Sequence, residues 1–241
     1  MASPDDMLRA STPGLDLAEI STRWTSIQDP HRFVLRYSPA IVAYLNALLR
    51  HPDDAHDVAQ EFFIKFVERG LPRAEQSRGR FRDYLKVAVR NAALSHLRKK
   101  RPQQSDPELL AAVAAGHETT ADREMCRAWK ACALDKMWRA LERHQRDNPG
   151  NFAYDVLKVS LEHAQEDSEQ QAERVSRSVG QPLSAVAFRK QRSRARQLAA
   201  EILLDEVRST LEDPSPANLE DELADLDLLE LLRGYLADGA A

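Results

Sequence analysis

Apolar residues recur at helical spacing along most of the chain, and the clearest series runs from Ala55 to Val67. Its members lie at i, i+3, i+4, i+7, i+8, i+11 and i+12, so they form one continuous face of an α-helix. This face consists of Ala55, Val58, Ala59, Phe62, Phe63, Phe66 and Val67. The other side carries Asp57, Gln60, Glu61, Ile64 and Glu68. We predict an amphipathic helix with an acidic outer face, capped by Asp53 or Asp54.

The same pattern predicts helices nearly throughout, with proline and glycine near many of their ends. The predicted helices span residues 14–28, 31–50, 53–69, 80–100, 120–146, 152–166, 168–178, 184–210 and 217–236. No segment alternates as a half-buried strand would. We therefore expect an all-α protein with two small helical domains, at 29–102 and 122–210. A segment at 1–28, a linker at 103–121 that holds one short helix, and an extension at 211–241 complete the chain.

The charge is distributed unevenly, although the net charge is only −4. Between Arg78 and Arg101 there are nine lysines and arginines and one acid, and between Arg189 and Arg196 there are five basic residues and no acid. From Asp205 onwards there are eleven acids and two arginines. Basic runs on helices are either solvated faces or surfaces that bind phosphate. The acidic extension is either a solvated helix or a partner for such a surface.

Composition excludes several classes of protein. No run approaches the roughly 20 apolar residues of a membrane helix, and the first residues lack the apolar core of a secretory signal. Cys126 and Cys132 lie on different faces of one predicted helix, so reduced thiols are expected. No catalytic triad or phosphate-binding glycine loop is found. These observations predict a cytoplasmic protein without a membrane partner, a cofactor or an enzymatic activity.

The aspartates that open the acidic helix allow a different hypothesis. Asp53, Asp54 and Asp57 have the DDxxD spacing with which all-helical isoprenoid synthases bind magnesium and a diphosphate. Such enzymes need a second metal motif on a facing helix, and the sequence contains none. His51 and His56 make an incomplete metal-ligand set. A magnesium-dependent helical enzyme therefore remains a remote alternative.

Two adjacent motifs resemble those of bacterial sigma factors of the extracytoplasmic-function type. "DDAHDVAQEFFIKF" is similar to their DAEDLxQExFxxx helix, and "GRFRDYLKVAVRNAALSHLRKKR" is similar to their FRxWLxxIARNxxxDxxRxxx helix. Order and spacing agree over about residues 30–101. The stretch "TRW" at residues 22–24 and the C-terminal "LEDPSPANLEDELADLDLL" resemble a subgroup with an extended C-terminus. The resemblance implies a sigma factor.

In that family the first motif grips the core of RNA polymerase. The resemblance therefore implies a docking surface formed by Asp54, Asp57, Gln60 and Glu61. Acidic and amide side chains on an exposed face suit a basic, arginine-bearing partner. An anti-sigma factor or a regulatory kinase is left open as a further partner.

The second motif opens the −10 promoter element in the family and holds the melted strand. The matching candidates are Arg80, Arg82, Tyr84, Lys86, Arg90, Asn91, Ser95, Arg98 and Lys99. We expect Arg82, Lys86 and Arg90 to share one exposed stripe, because they are spaced by four. Asn91 and the loop at 77–80 are the best base-contacting candidates. Tyr84 replaces the family's usual tryptophan and Ser95 its usual aspartate, which leaves the preferred bases open.

The second basic run follows the pattern of a helix-turn-helix. Gly180 can supply its turn, Ser184 can cap its second helix, and Ala185 and Val186 are expected to anchor that helix in the core. Similar sigma factors use this module to read duplex DNA at the −35 element. The DNA-binding candidates are Ser184, Arg189, Lys190, Arg192, Arg194 and Arg196. A stand-alone helix-turn-helix regulator that needs no polymerase is the alternative function.

The acidic extension pairs leucines with acids at helical spacing. We predict one amphipathic helix at 217–236, packed on the body of the protein. Our hypothesis is that it covers the basic helix of the second DNA-binding module, since unlike charges attract and an intramolecular partner acts at high effective concentration.

Overall fold

The computed structural model describes residues 30–69, 80–99, 106–116, 120–211 and 213–236, and these ranges contain helices and no strand. The helices are α1 (Pro30–Leu48), α2 (Pro52–Arg69), α3 (Phe81–Lys99), α4 (Pro107–Ala115), α5 (Thr120–Asp147), α6 (Ala153–Glu162), α7 (Ser168–Val179), α8 (Ala185–Arg208), α9 (Pro216–Asp225) and α10 (Leu229–Leu232), with a 3-10 turn at Arg233–Tyr235. The all-α prediction is confirmed. The predicted helix at 14–28 and the "TRW" stretch lie outside the described residues.

The predicted single helix at 217–236 is wrong, because the chain turns between α9 and α10. Asp227 adopts a left-handed conformation with φ of 55°, which aspartate tolerates better than most residues. The turn lets Leu226 and Leu228 both face the core, where they are 2% and 1% exposed. Two residues that are two positions apart point in different directions on a continuous helix, so only a break can bury both.

A large apolar core joins α1, α2, α3 and α5 to the second half of α8 and to the tail, which we define as residues 213–236. At its centre the Tyr37 ring lies 4.7 Å from that of Trp129 and 5.0 Å from that of Phe81, measured between centroids. Leu223 of α9 is fully buried in the same core. This core crosses the predicted domain boundary at residue 121, so the division into domains remains a prediction.

A second, smaller core belongs to α6, α7 and the start of α8. It consists of Phe152, Val156, Ala172, Val175 and Phe188. Helix α8 therefore serves both cores, with its first half in the small core and its second half in the large one.

No helix within the described ranges is both long enough and apolar enough to cross a membrane.

Candidate functional site

The acidic face of α2 is exposed in part. Asp57 and Gln60 lie in solvent, beside Ile64, which is 50% exposed. Val67 is 46% exposed, so its predicted place in the buried face is wrong. The buried face is narrower at this end of α2, where Phe66 is 3% exposed but the next residue is not buried. The outer face of α2 therefore combines carboxylate, amide and aliphatic groups.

The other two docking candidates contact neighbouring side chains. Asp54 is half-buried, and its Oδ1 lies 3.2 Å from Nε2 of His96 on α3. Glu61 accepts hydrogen bonds from Lys65 at 2.6 Å and Lys99 at 3.3 Å. These two lysines lower the pKa of Glu61. Asp54 thus joins α2 to α3, whereas Glu61 remains on the accessible side.

The aspartates at the start of α2 do not form a metal cluster with other ligands. Asp53 is exposed, whereas Asp54 is directed to His96 on α3. No group of three or more histidines, cysteines, aspartates or glutamates among the described residues is placed to hold a metal ion.

The C-terminal half of α3 presents polar and basic side chains to solvent. Asn91, Ser95, Arg98 and Lys99 are exposed. Ser95 Oγ donates to the backbone oxygen of Asn91 at 2.9 Å, so this hydroxyl already has one partner in its own helix. Asn91 leaves an amide available at the surface, as reading an unstacked base requires.

The predicted exposure of Arg82 is wrong. Its side chain is 2% exposed and lies in the interface between α3, α5 and α9. Its Nη2 donates to Glu222 Oε2 at 3.1 Å and to Asp225 Oδ2 at 2.9 Å. A sequence signal existed, because Arg82 lies three residues before Leu85 and seven before Val89, which are both fully buried.

Lys86 and Arg90 are half-buried rather than fully exposed, because α4 and α5 pack beside α3. Arg90 Nε donates to the hydroxyl of Tyr44 at 3.1 Å, and its Nη2 lies 3.7 Å from Asp122 Oδ1. Lys86 Nζ lies 2.9 Å from Asp83 Oδ1 and 3.9 Å from Asp122. Both cations therefore border the groove between α3 and α5 and also help to hold it together.

Tyr84 is half-buried beside Phe81, with 6.5 Å between ring centroids. Burial raises the pKa of its phenol. Its ring packs against the large core and is only partly buried there. Of the loop at 77–80, residues 77–79 lie outside the described residues, and Arg80 is half-buried.

Two helices joined by a short turn, α7 and α8, occupy residues 168–208, where the sequence predicts the helix-turn-helix. Gly180 ends α7 in a left-handed conformation with φ of 67°, and Ser184 caps α8 by accepting from the amide of Ala187 at 3.2 Å. Both local predictions are confirmed. Val186, however, is 68% exposed, and the buried anchor of α8 is Phe188. Phe188 faces the small core because it lies one turn after the cap, on the side of Ala172 and Val175.

The basic side chains of α8 lie around Phe188. Arg189, Lys190, Arg194 and Arg196 are exposed, and the guanidinium of Arg192 lies 5.7 Å from the centroid of the Phe188 ring. Val186 and the capping Ser184 are exposed at the same end of the helix. The first half of α8 thus presents a basic surface, and no ion pair joins it to another helix among the described residues.

The acidic side chains of the tail pair with the first basic element and not with the basic residues of α8, which corrects our hypothesis about their target. The tail also packs against α8, in the large core to which the second half of that helix belongs. Arg80 forms ion pairs with Glu222 at 3.3 Å, with Asp221 at 3.8 Å and with Asp225. Together with the contacts of Arg82, these pairs join α9 to the start of α3. The leucines of the tail extend the large core, to which α3 and the second half of α8 both contribute, and this packing places the acids of α9 beside Arg80 and Arg82.

Sequence reasoning missed Glu222 as part of this contact, although its spacing carried a signal. Glu222 lies three residues after Leu219 and four before Leu226, on the buried stripe of α9, and it is 1% exposed. Burial raises its pKa, against the opposing effect of Arg82 and Arg80. A buried carboxylate needs a cation, and Arg82 supplies it.

The region with both surfaces matches a known family. The family model for Sigma-70 region 2 matches residues 33–103, which contain α2, α3 and most of α1. The match supports a sigma factor, a class of protein that binds RNA polymerase core and promoter DNA in transcription initiation and catalyses no reaction itself. It covers less than a third of the chain. No curated protein and no solved structure matched the chain.

Proposed function

We propose that the protein is a sigma factor of the extracytoplasmic-function type, which directs RNA polymerase core to specific promoters in the cytoplasm and opens them. The residues at 29–102 would dock on the polymerase and melt the −10 element, and those at 122–210 would read the −35 element. The observation that carries the proposal is the region 2 match at 33–103, which spans both an acidic helix face and a basic helix.

The docking surface would be the outer face of α2. Asp57 and Gln60 are exposed and Glu61 is accessible, with Ile64 beside them as an apolar contact. Carboxylates with an aliphatic neighbour suit a basic partner surface, because charge complementarity orients the encounter and the apolar group adds buried area. Asp54 would support this face from behind through His96.

Promoter DNA would contact the two basic surfaces. The exposed end of α3 offers Asn91, Arg98 and Lys99 for a melted strand. The first half of α8 offers Arg189, Lys190 and Arg194 for the major groove of duplex DNA, which a recognition helix enters by its N-terminal residues. Phosphate contacts would hold the register, and side chains at base edges would set the sequence preference.

Capture of bacterial core RNA polymerase tests the docking face directly. We expect the immobilised protein to retain the polymerase and Asp57→Arg/Glu61→Arg to lose at least about tenfold in apparent affinity, since two charge reversals oppose the basic partner. The matched control is Asp135→Arg/Glu142→Arg, which reverses an exposed aspartate and glutamate on α5. Asp135 pairs with Arg139 four residues on, as Glu61 pairs with Lys65.

Two results would contradict the proposal. The first is equal retention of polymerase by the two double variants. The second is no retention by the folded wild-type protein. Binding to duplex DNA without polymerase in that second case would favour a stand-alone helix-turn-helix regulator.

A further inference from the structure

An open groove of about 810 Å³ lies between α3 and α5, and the turn between α9 and α10 borders it. Within the described residues, six basic side chains line it: Arg82, Lys86, Arg90, Arg123, Arg127 and Lys130. The four carboxylates that line it are Asp83, Asp122, Asp225 and Asp227. Two of these four come from the tail, so the walls formed by α3 and α5 themselves have a clear excess of positive charge.

The α5 side of the groove carries cations at helical spacing. Arg123 and Arg127 are exposed and one turn apart, and Lys130 follows three residues later. They lie on the same face of α5. Neither the region 2 match nor the sequence motifs of the basic helix include these three residues.

Two carboxylates of the tail contact the two sides of this groove. Asp225 Oδ2 accepts from Arg82 Nη2 of α3 at 2.9 Å. Lys130 Nζ of α5 donates two hydrogen bonds to Asp227, one to the carboxylate at 2.9 Å and one to the backbone oxygen at 2.7 Å. Both aspartate side chains keep solvent contact, at 51% and 97% exposure. The tail thus presents consecutive anions to cations on two helices, as the phosphates of a nucleic-acid strand do.

We infer that the groove between α3 and α5 binds the phosphate backbone of a DNA strand, with Arg123, Arg127 and Lys130 as its second wall, and that Asp225 and Asp227 compete with the strand for it. The inference rests on the proposed function, because it specifies where the promoter strand runs and what opposes it. DNA and the tail need the same cations, so each weakens the other's binding.

The contact between tail and groove is suited to displacement, because its buried part is incompletely satisfied. Glu222 Oε1 and Arg82 Nε are buried and have no hydrogen-bond partner among the described residues. Burial raises the pKa of Glu222, so its charged form is held at a cost in free energy. A strand that supplies phosphates to Arg82 and Lys130, which both line the groove, therefore replaces a contact that is not fully optimised.

Fluorescence anisotropy with a short, labelled single-stranded DNA tests the competition in the full chain. We expect Asp225→Asn/Asp227→Asn to lower Kd by about fivefold or more, because it neutralises the competing anions. Asparagine also tolerates the left-handed conformation of residue 227. The control Glu220→Gln/Glu230→Gln removes the same charge from exposed tail residues outside the groove and is expected to change Kd less than about twofold. An unchanged Kd in the first variant, or equal changes in both, would overturn the inference.

The second wall is tested in the Asp225→Asn/Asp227→Asn background. Adding Arg123→Gln/Arg127→Gln is expected to weaken binding and to reduce the slope of log Kd against log salt by about 1.4, since two phosphate contacts to a single strand are lost. Arg139→Gln/Arg146→Gln on the same helix, outside the groove, is the control. An unchanged salt dependence of Kd would show that Arg123 and Arg127 of α5 do not contact the strand. Because these assays contain no polymerase, failure of polymerase capture would reject the proposed function without deciding this inference.

Discussion

At the scale of single residues, one carboxylate of α8 pairs with two cations, one on α1 and one on α5. Glu206 contacts both Arg36 and Lys136, and all three side chains are mostly buried. One carboxylate cannot neutralise two cations. Burial and the nearby Arg36 and Arg143 therefore lower the pKa of Lys136 to about 7.

This lowered pKa predicts how stability depends on pH. Between about pH 7 and 10.5 the unfolded chain keeps a proton on Lys136 that the folded protein has lost, so the contribution of this lysine to stability rises with pH across that range. The gain is at most about 1.4 kcal/mol per pH unit. We expect Lys136→Met to flatten this rise, as followed by thermal unfolding from pH 6 to 10. The exposed Lys158→Met is the control, and the same rise in Lys136→Met as in wild type would contradict the argument.

At the scale of elements, the capping residues locate the ends of α7 and α8 more accurately than the apolar pattern does. A complete capping box starts α7, where Asp167 accepts from the amide of Gln170 and the Gln170 side chain accepts from the amide of Asp167. Gly180 ends α7 and Ser184 starts α8. These local hydrogen bonds fix the turn that presents the basic half of α8.

Removing the cap of α8 tests its contribution. Ser184→Ala is expected to lower the free energy of unfolding by about 1 kcal/mol, because the amide of Ala187 loses its side-chain acceptor. Ser193→Ala, at an exposed position within the same helix, is the control and is expected to be neutral or slightly stabilising. Urea denaturation followed by circular dichroism measures both, and a Ser184→Ala variant as stable as Ser193→Ala would contradict the role of the cap.

At the scale of the whole molecule, the tail is part of the large core and not an appended segment. Leu219, Leu223, Leu226 and Leu228 of the tail are all buried there. The ion pairs between α9 and α3 follow from this packing, because the leucines place Glu222 beside Arg82.

Truncating a tail leucine is therefore expected to destabilise the body of the protein. Leu223→Ala should lower the free energy of unfolding by about 2–5 kcal/mol, as other large-to-small substitutions in cores do. Leu231→Ala, which is 62% exposed in wild type, is the control with little effect expected. Differential scanning calorimetry checks both variants. A Leu223→Ala transition at the wild-type temperature would show that the tail contributes nothing to the core.

The sequence predicted correctly those features that depend only on residues one or two helical turns apart. Helical spacing predicted α2 and its exposed Asp57, and local chemistry predicted the roles of Gly180 and Ser184, because these features depend on backbone geometry alone. The stripe assigned to α3 was less accurate. Spacing by four grouped Arg82 with Lys86 and Arg90, although spacing by three and seven also grouped it with Leu85 and Val89.

By itself, the sequence determined most of the described helices, the two basic runs and the region that matches sigma-70 region 2. Tertiary structure alone decided which basic run the acidic tail meets. Charge made both runs possible partners, since electrostatic attraction is long-ranged and nonspecific. The buried leucines of α9 decide between them, because their packing fixes the position of α9 and brings Glu222 and Asp225 to Arg82 and not to the basic residues at the start of α8.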